Sequence, residues 1–300
     1  MRIRIIICTY NPNLEKLFLA LTGIREQTHD FDNIEVIVID NGSKSEISSH
    51  INKYCTVFNF TYTFLEYPSL IAARILGIET KTSLDPDYYL FVDDDNYLDS
   101  FYLKNGLKFL KENKQVGLVA GKSIPLKSLP TKNLWAHQYL AIRDLGNEPL
   151  LSKSDDWEIC DPHGAGMLAT KDACLVFLAN CRELPEVFSL GRSGRSLNSG
   201  EDSYFAQLVK RSGMKTAYNP EMVLVHDIGA DRLRMRYLLR LAKGMGASDG
   251  ALGRIFNEST PIWVPRTGKQ KLKLVIYELG RNEIKHALFK YMRLKERGKQ

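Results

Sequence analysis

The segment Tyr88-Tyr89-Leu90-Phe91-Val92-Asp93-Asp94-Asp95-Asn96 constrains this chain most. Five apolar, β-prone residues stop abruptly at three consecutive carboxylates. A strand that is apolar on both faces belongs inside a parallel sheet. Acids at its carboxyl end then lie on the rim where open α/β sheets bind ligands. Three adjacent carboxylates repel one another unless positive charge sits among them. A divalent cation that also touches phosphate oxygens answers that repulsion most simply. The alternative is a strand followed by a solvated acidic turn.

The rest of the N-terminal half alternates in the way a parallel sheet requires. Ile3–Cys8 reads as a buried strand, and Asn11-Pro12-Asn13 as a turn that starts a helix. Leu14, Leu17, Leu21 and Ile24 mark one face of that helix. Glu35–Asp40 is a second buried strand, ended by Asn41-Gly42-Ser43. Thr61–Leu65 and Val116–Ala120 are further strand candidates, and Leu70–Glu79 reads as a helix. Ser123–Ser199 is less regular and reads as loops. At 300 residues and 44% hydrophobic composition the chain can bury a full core. Its net charge of +6 suits phosphate-bearing partners or an anionic membrane surface. No interleaved basic and aromatic motif points to nucleic acid.

Two further features carry chemistry. Arg74, on the 70–79 helix, is placed to pair with a carboxylate or phosphate, or else is solvated. Gly200-Glu201-Asp202 opens an apolar-periodic run, so Asp202 is either a helix-capping residue or a general base. Taken in order, Cys8-Thr9-Tyr10-Asn11-Pro12, Val36–Ser43, Ala73–Gly77, Phe91–Asp95 and Gly200–Asp202 resemble the family-2 glycosyltransferases. The resemblance covers roughly residues 1 to 230.

That resemblance implies a GT-A fold: a mainly parallel central sheet flanked by helices. It implies an inverting transferase that uses a nucleotide-diphospho-sugar and Mn²⁺ or Mg²⁺. By position, Thr9, Tyr10, Asn11 and Asp40 would hold the nucleoside and Arg74 would brace its pocket. Asp93 and Asp94, with Asp95, would serve the diphosphate and ribose, Asp93 and Asp95 holding the metal. Asp202 would be the catalytic base, with Glu201 assisting. His226, after the strand-like Met222–Val225, is either a metal or diphosphate ligand or a structural histidine. His163, Gly164 and Trp157 are candidates for the acceptor side. The chain departs from the family at Ile75, where Asn is usual, and at Tyr67–Ile71, which lacks the usual glycines. Both departures lie in the donor pocket and leave the donor sugar open. The expected organisation is a catalytic domain over 1–230, divided at 120 into nucleotide-sugar and acceptor halves. A helical, basic extension over 231–300 follows.

The chemistry agrees with transfer. Displacing a nucleoside diphosphate needs its charge stabilised and the acceptor hydroxyl deprotonated from the opposite face. Glycosidases instead place two carboxylates around the scissile bond. A nucleotidyltransferase of similar fold would not need a base at Asp202, and a non-catalytic binding module would tolerate loss of Asp95. Gly117–Ser123 is one residue short of a phosphate loop and is strand-like between its glycines. Gly164-Ala165-Gly166 lacks the flanks of a dinucleotide site and reads as a tight turn or a surface for close acceptor approach.

Leu190–Ser196 is a basic loop that either closes over phosphate or is solvated. Arg232, Arg236, Arg240 and Lys243 form one helical face, and Leu238, Leu241, Ala242 and Met245 another. With Lys269, Lys271 and Lys273, the basic stripe leaves room for anionic lipid and a lipid-linked saccharide acceptor. The five cysteines, Cys8, Cys55, Cys160, Cys174 and Cys181, form no CxxC pair. No leader-like segment opens the chain and no run reaches the ~18 apolar residues of a membrane span. The expectation is a cytoplasmic enzyme of cell-surface polysaccharide or lipopolysaccharide assembly, peripheral at the inner face of the membrane.

Overall fold

The computed structural model describes residues 1–27, 33–45, 47–52, 59–127, 136, 139–194, 196–256 and 284–297. Its first four strands are β1 Ile3–Thr9, β2 Ile34–Asp40, β3 Asn59–Phe64 and β4 Tyr88–Asp93. The remainder are β5 Asn96–Leu98, β6 Val116–Pro125, β7 Leu150–Leu151, β8 Met167–Thr170 and β9 Lys215–His226. All nine join one sheet in the order β3-β2-β1-β4-β8-β6-β9-β5, with β7 also on β9. Strands β1 to β4, β6 and β9 point one way, and β5, β7 and β8 run against them. The expected mixed α/β architecture is therefore present.

Helices α1 Leu14–Arg25, α2 Ser48–Asn52, α3 Leu70–Glu79 and α4 Tyr102–Glu112 accompany the first strands. The later ones are α5 Lys171–Glu183, α6 Glu201–Arg211, α7 Met235–Ile255 and α8 Ile284–Arg297. Asn13 caps α1 through Lys16 N, and Ser69 caps α3 through Ala72 N. The strands alternate in side-chain direction, so Ile3, Ile5 and Ile7 of β1 pack with α1 and α4 while Ile6 packs with the opposite layer. That second layer holds α3, α5 and α6.

The described residues of 123–199 are more ordered than expected. They contribute β7, β8 and α5, whose Cys174, Phe177, Leu178 and Cys181 face the core. Gly117–Ser123 lies within β6, in keeping with a strand rather than a phosphate loop.

Beside β6, β9 pauses. Ala120 pairs with Tyr218, but Lys122 pairs with Val223, so β9 advances five residues while β6 advances two. The three extra residues form a bulge around Asn219–Glu221. Gly121 makes the crossing possible: a Cβ there would sit 1.8 Å from the Met222 carbonyl oxygen.

Helix α7 turns Leu238, Leu241 and Ala242 inward against Leu140 and Phe289 of α8. An Asp249–Arg293 pair at 2.6 and 2.9 Å ties the two helices together. Arg232 is not on α7, as the periodicity suggested, but in a 3₁₀ turn over Ala230–Leu233. No described helix is long and apolar enough to cross a membrane. Cys55, Arg195, Lys269, Lys271 and Lys273 lie outside the described residues.

Candidate active site

Strands β2, β1 and β4 end level with one another. Thr9 is opposite Asp40, and Cys8 is opposite Asp93. Across the sheet, His226 ends β9 opposite Asn96 of β5, and the Asp227 amide donates to the Asp95 carbonyl. The topology thus gathers residues 8–10, 93–95 and 226 on one rim. A cleft of about 370 Å³ opens there.

The three aspartates have different surroundings. Asp95 is buried; its Oδ1 is 3.3 Å from His226 Nε2 and its Oδ2 is 2.8 Å from Arg232 Nη2. Burial alone would raise its pKa, but the His226 hydrogen bond and the charges of His226 and Arg232 hold it well below the usual carboxylate range. Asp94 accepts a hydrogen bond from Thr9 Oγ1. Burial, then the neighbouring Asp95 charge, push Asp94 up to about 7. Asp93 lines the cleft and is half-buried.

The opposite wall starts at α6. Gly200, not Asp202, occupies the capping position, and its side-chain-free N-cap leaves Asp202 in the first turn. Both Asp202 oxygens accept main-chain hydrogen bonds, Oδ1 from Ser203 N at 2.8 Å and Oδ2 from Gly164 N at 3.2 Å. His163 Nδ1 lies 3.9 Å from Asp202 Oδ2. Glu201 is buried against Arg74, Oε1 to Nη1 3.4 Å. Burial, then Asp202, raise Glu201 to about 7 although Arg74 opposes them. Burial disfavours the Arg74 charge, yet Glu201 and Asp93 more than offset it and raise its pKa. Arg74 is therefore a buried cation, not a solvated one. Gly164 lets it lie there: a Cβ at 164 would meet Arg74 Nη2 at 2.0 Å.

Thr9, Tyr10, Arg74, Asp93, Asp94, Asp95, His163, Gly164, Glu201, Asp202 and His226 all line this one cleft. Three sequence candidates do not. Asp40 is fully buried and occupied by Ser43 N and Tyr62 Oη, and Asn41 lines the cleft in its place. Asn11 holds the 41–44 turn through Ser43 and Lys44. Trp157 projects to solvent, 59% exposed, away from the cleft.

The family model described as "Glycosyl transferase family 2" matches residues 4–175. The chain belongs to glycosyl transferase family 2. An N-acetylglucosaminyltransferase of Azorhizobium caulinodans is 26% identical over 243 residues, 78% of this chain and 58% of that protein. The poly(ribitol-phosphate) β-N-acetylglucosaminyltransferase TarS of Staphylococcus aureus is 25% identical over 131 residues, 43% of this chain and 22% of TarS. The chain thus spans less than two thirds of either curated relative.

Among solved structures, the mannosyltransferase PcManGT of Pyrobaculum calidifontis with GDP-Man and Mn²⁺ aligns at TM-score 0.62 and 16% identity. That alignment covers 98% of this chain and 83% of PcManGT. TarS 1–349 with UDP-GlcNAc aligns at 0.54 and 17% identity, over 93% of this chain and 78% of TarS 1–349. This likeness places the family 2 domain in the GT-A fold.

Several cleft residues of this family 2 chain were not picked from sequence. Arg232 adds a cation, and Tyr139, Leu140, Leu197, Tyr237, Leu241 and Met245 make an apolar end; Arg192, from the basic 190–196 loop, also lines the cleft. Arg232 was hidden in a run of basic residues; its nearness to His226, across Gly229, was the available signal. Among the described residues, no three His, Cys, Asp or Glu side chains stand together in metal-holding geometry. The donor types nonetheless fit a divalent ion: carboxylates at 93 and 95, and His226, whose Nε2 faces Asp95 Oδ1. Arg232 supplies the positive charge at Asp95 in this arrangement.

Proposed function

We propose that this chain is an inverting transferase that moves a sugar, N-acetylglucosamine, from its UDP ester to a hydroxyl of a cell-surface saccharide. One observation carries this reading: the acidic rim of β4 and the doubly anchored carboxylate of Asp202 face the same cleft. The choice of UDP-N-acetylglucosamine follows the names of the two curated relatives and the ligand of the TarS complex.

Asp202 takes the proton of the acceptor hydroxyl as that oxygen attacks the anomeric carbon. Its main-chain donors leave the carboxylate fixed before the acceptor arrives, so little reorganisation accompanies the transfer. Glu201 and Arg74 form the buried floor beneath it. Thr9, Tyr10 and Asn41 line the side where the nucleoside would lie, and Arg192 and Arg232 face the departing diphosphate. Asp93, Asp95 and His226 would hold Mn²⁺ or Mg²⁺, which supplies Lewis-acid stabilisation of the leaving group when bound. The apolar end beside Tyr237 and Leu241 receives the acceptor, with His163 and Gly164 across from it. Placement at the inner membrane face rests on the exposed Arg236, Arg240 and Lys243.

Asp202→Asn tests this. Sugar transfer should fall by at least ~10²-fold, while UDP binding with Mn²⁺ stays within about twofold of the parent by calorimetry. Full transfer activity in that variant would refute the base assignment.

A further inference from the structure

We propose that Asp161, held by Lys210, is a positioning residue for the base. The proposal rests on the transferase reading above. Lys210 lies on α6, the same helix that begins with Glu201 and Asp202. Its Nζ is 2.8 Å from Asp161 Oδ2, and both side chains are 2% exposed. Lys210 also donates to the Asp156 carbonyl. Asp161 Oδ1 accepts from Thr216 Oγ1 at 2.6 Å, and Oδ2 accepts from Glu158 N at 2.9 Å. Arg143, itself buried, donates Nη1 to the Asp161 carbonyl at 2.9 Å. Every bonding direction of this residue is thus fixed by a separate element: α6, β9, its own loop and the 141–145 segment.

Two residues further on, the chain enters the cleft. His163 stands beside Asp202, and the Gly164 amide donates to its Oδ2. Helix α6 and the 161–164 loop are therefore joined twice, at Lys210–Asp161 and at Asp202–Gly164. Those contacts lie eight residues apart on the helix, rather more than two turns. The first junction is closed, charged and away from the cleft lining. The second is half-open and reactive. Buried ion pairs fix register more clearly than they add stability. Here the register is that of the Gly164 N–H against the carboxylate that must accept a proton. Without the brace, the loop keeps a chain path but loses the ångström-level placement on which proton abstraction depends.

The test uses Asp161→Asn in the full chain, with Thr216→Val as a milder second variant that removes one donor and leaves the ion pair. Three quantities are read. The first is UDP release from UDP-N-acetylglucosamine with Mn²⁺, water acting as acceptor; if another nucleotide-sugar raises the melting temperature more, it replaces this donor. The second is UDP affinity. The third is amide exchange over residues 162–167. Asp161→Asn should release UDP at least tenfold more slowly, with UDP affinity within twofold and faster exchange at 162–167. Thr216→Val should shift each in the same direction by less, and decides the matter if Asp161→Asn fails to fold. Unchanged exchange, or turnover that falls only in step with UDP affinity and melting temperature, would overturn the proposal. An inactive Asp202→Asn with a normal Asp161→Asn would sink this inference alone. An active Asp202→Asn would sink the base assignment beneath it, and no UDP release from any nucleotide-sugar by the parent would sink the transferase reading.

Discussion

At the scale of single residues, the floor of the cleft is where charge and burial compete most directly. Glu201 titrates near 7 when folded, against about 4.5 when exposed, because burial and Asp202 outweigh Arg74. The folded protein therefore keeps a proton that the unfolded chain releases between those values. Stability is greater below pH ~4.5 for this group and declines as pH rises through 7. Glu201→Gln should flatten the fall in melting temperature between pH 5 and 8; an equal slope in both proteins would contradict the assignment. Gly164 gives a steric counterpart. Gly164→Ala drives a methyl into the Arg74 guanidinium. It should cost more than tenfold in turnover and lower the melting temperature, whereas Gly146→Ala, strained by its φ of 98° but surrounded by open space, should leave turnover intact.

At the scale of elements, α7 lines the cleft and α8 backs it. Phe289 of α8 is wholly buried and stacks on Tyr139 at 4.1 Å between ring centres, and Tyr139 lines the apolar end. Phe289→Ala should destabilise the chain by roughly 3 kcal/mol, read by chemical denaturation. It should impair sugar transfer more than UDP binding. Equal loss of both would mean that α8 supports the whole domain and not the acceptor wall. The apolar stripe of α7 faces inward, so the face that α7 itself brings to the proposed membrane contact is the cationic one. Binding to anionic vesicles should then vanish at high salt, since such attraction is screened within a few ångströms. Salt-resistant binding would call for insertion instead.

At the scale of the molecule, the sequence made some parts plain and hid others for physical reasons. Strands β1, β2 and β4 were legible because burial on both faces demands unbroken apolar runs. Arg74, Asp95 and Asp202 were legible because the family motifs surround them. Strands β5, β7 and β8 are two to four residues long, too short to show a period. The Lys210–Asp161 pair joins residues 49 positions apart, and no local pattern marks either one. The exposed Trp157 and the enclosed Asp40 show the reverse case, in which a suggestive residue type does not line the cleft. The assembled site should report its ligand globally. UDP-N-acetylglucosamine with Mn²⁺ at a hundred times its dissociation constant should add about 2.7 kcal/mol of stability. A melting temperature unmoved by this or any other nucleotide-sugar would leave the cleft without its donor.

The detour in β9 sets which way its last residues look. Met222, Leu224 and His226 are buried, while Val223 and Val225 between them are less so. Side chains on a strand swap faces with every step. Deleting one residue from 219–221 would therefore invert that parity and aim His226 away from Asp95, whereas deleting two would restore it. A short bulge in mid-sheet, outside the cleft lining, thus works as the odd-even switch that decides whether an imidazole reaches the acidic rim at all.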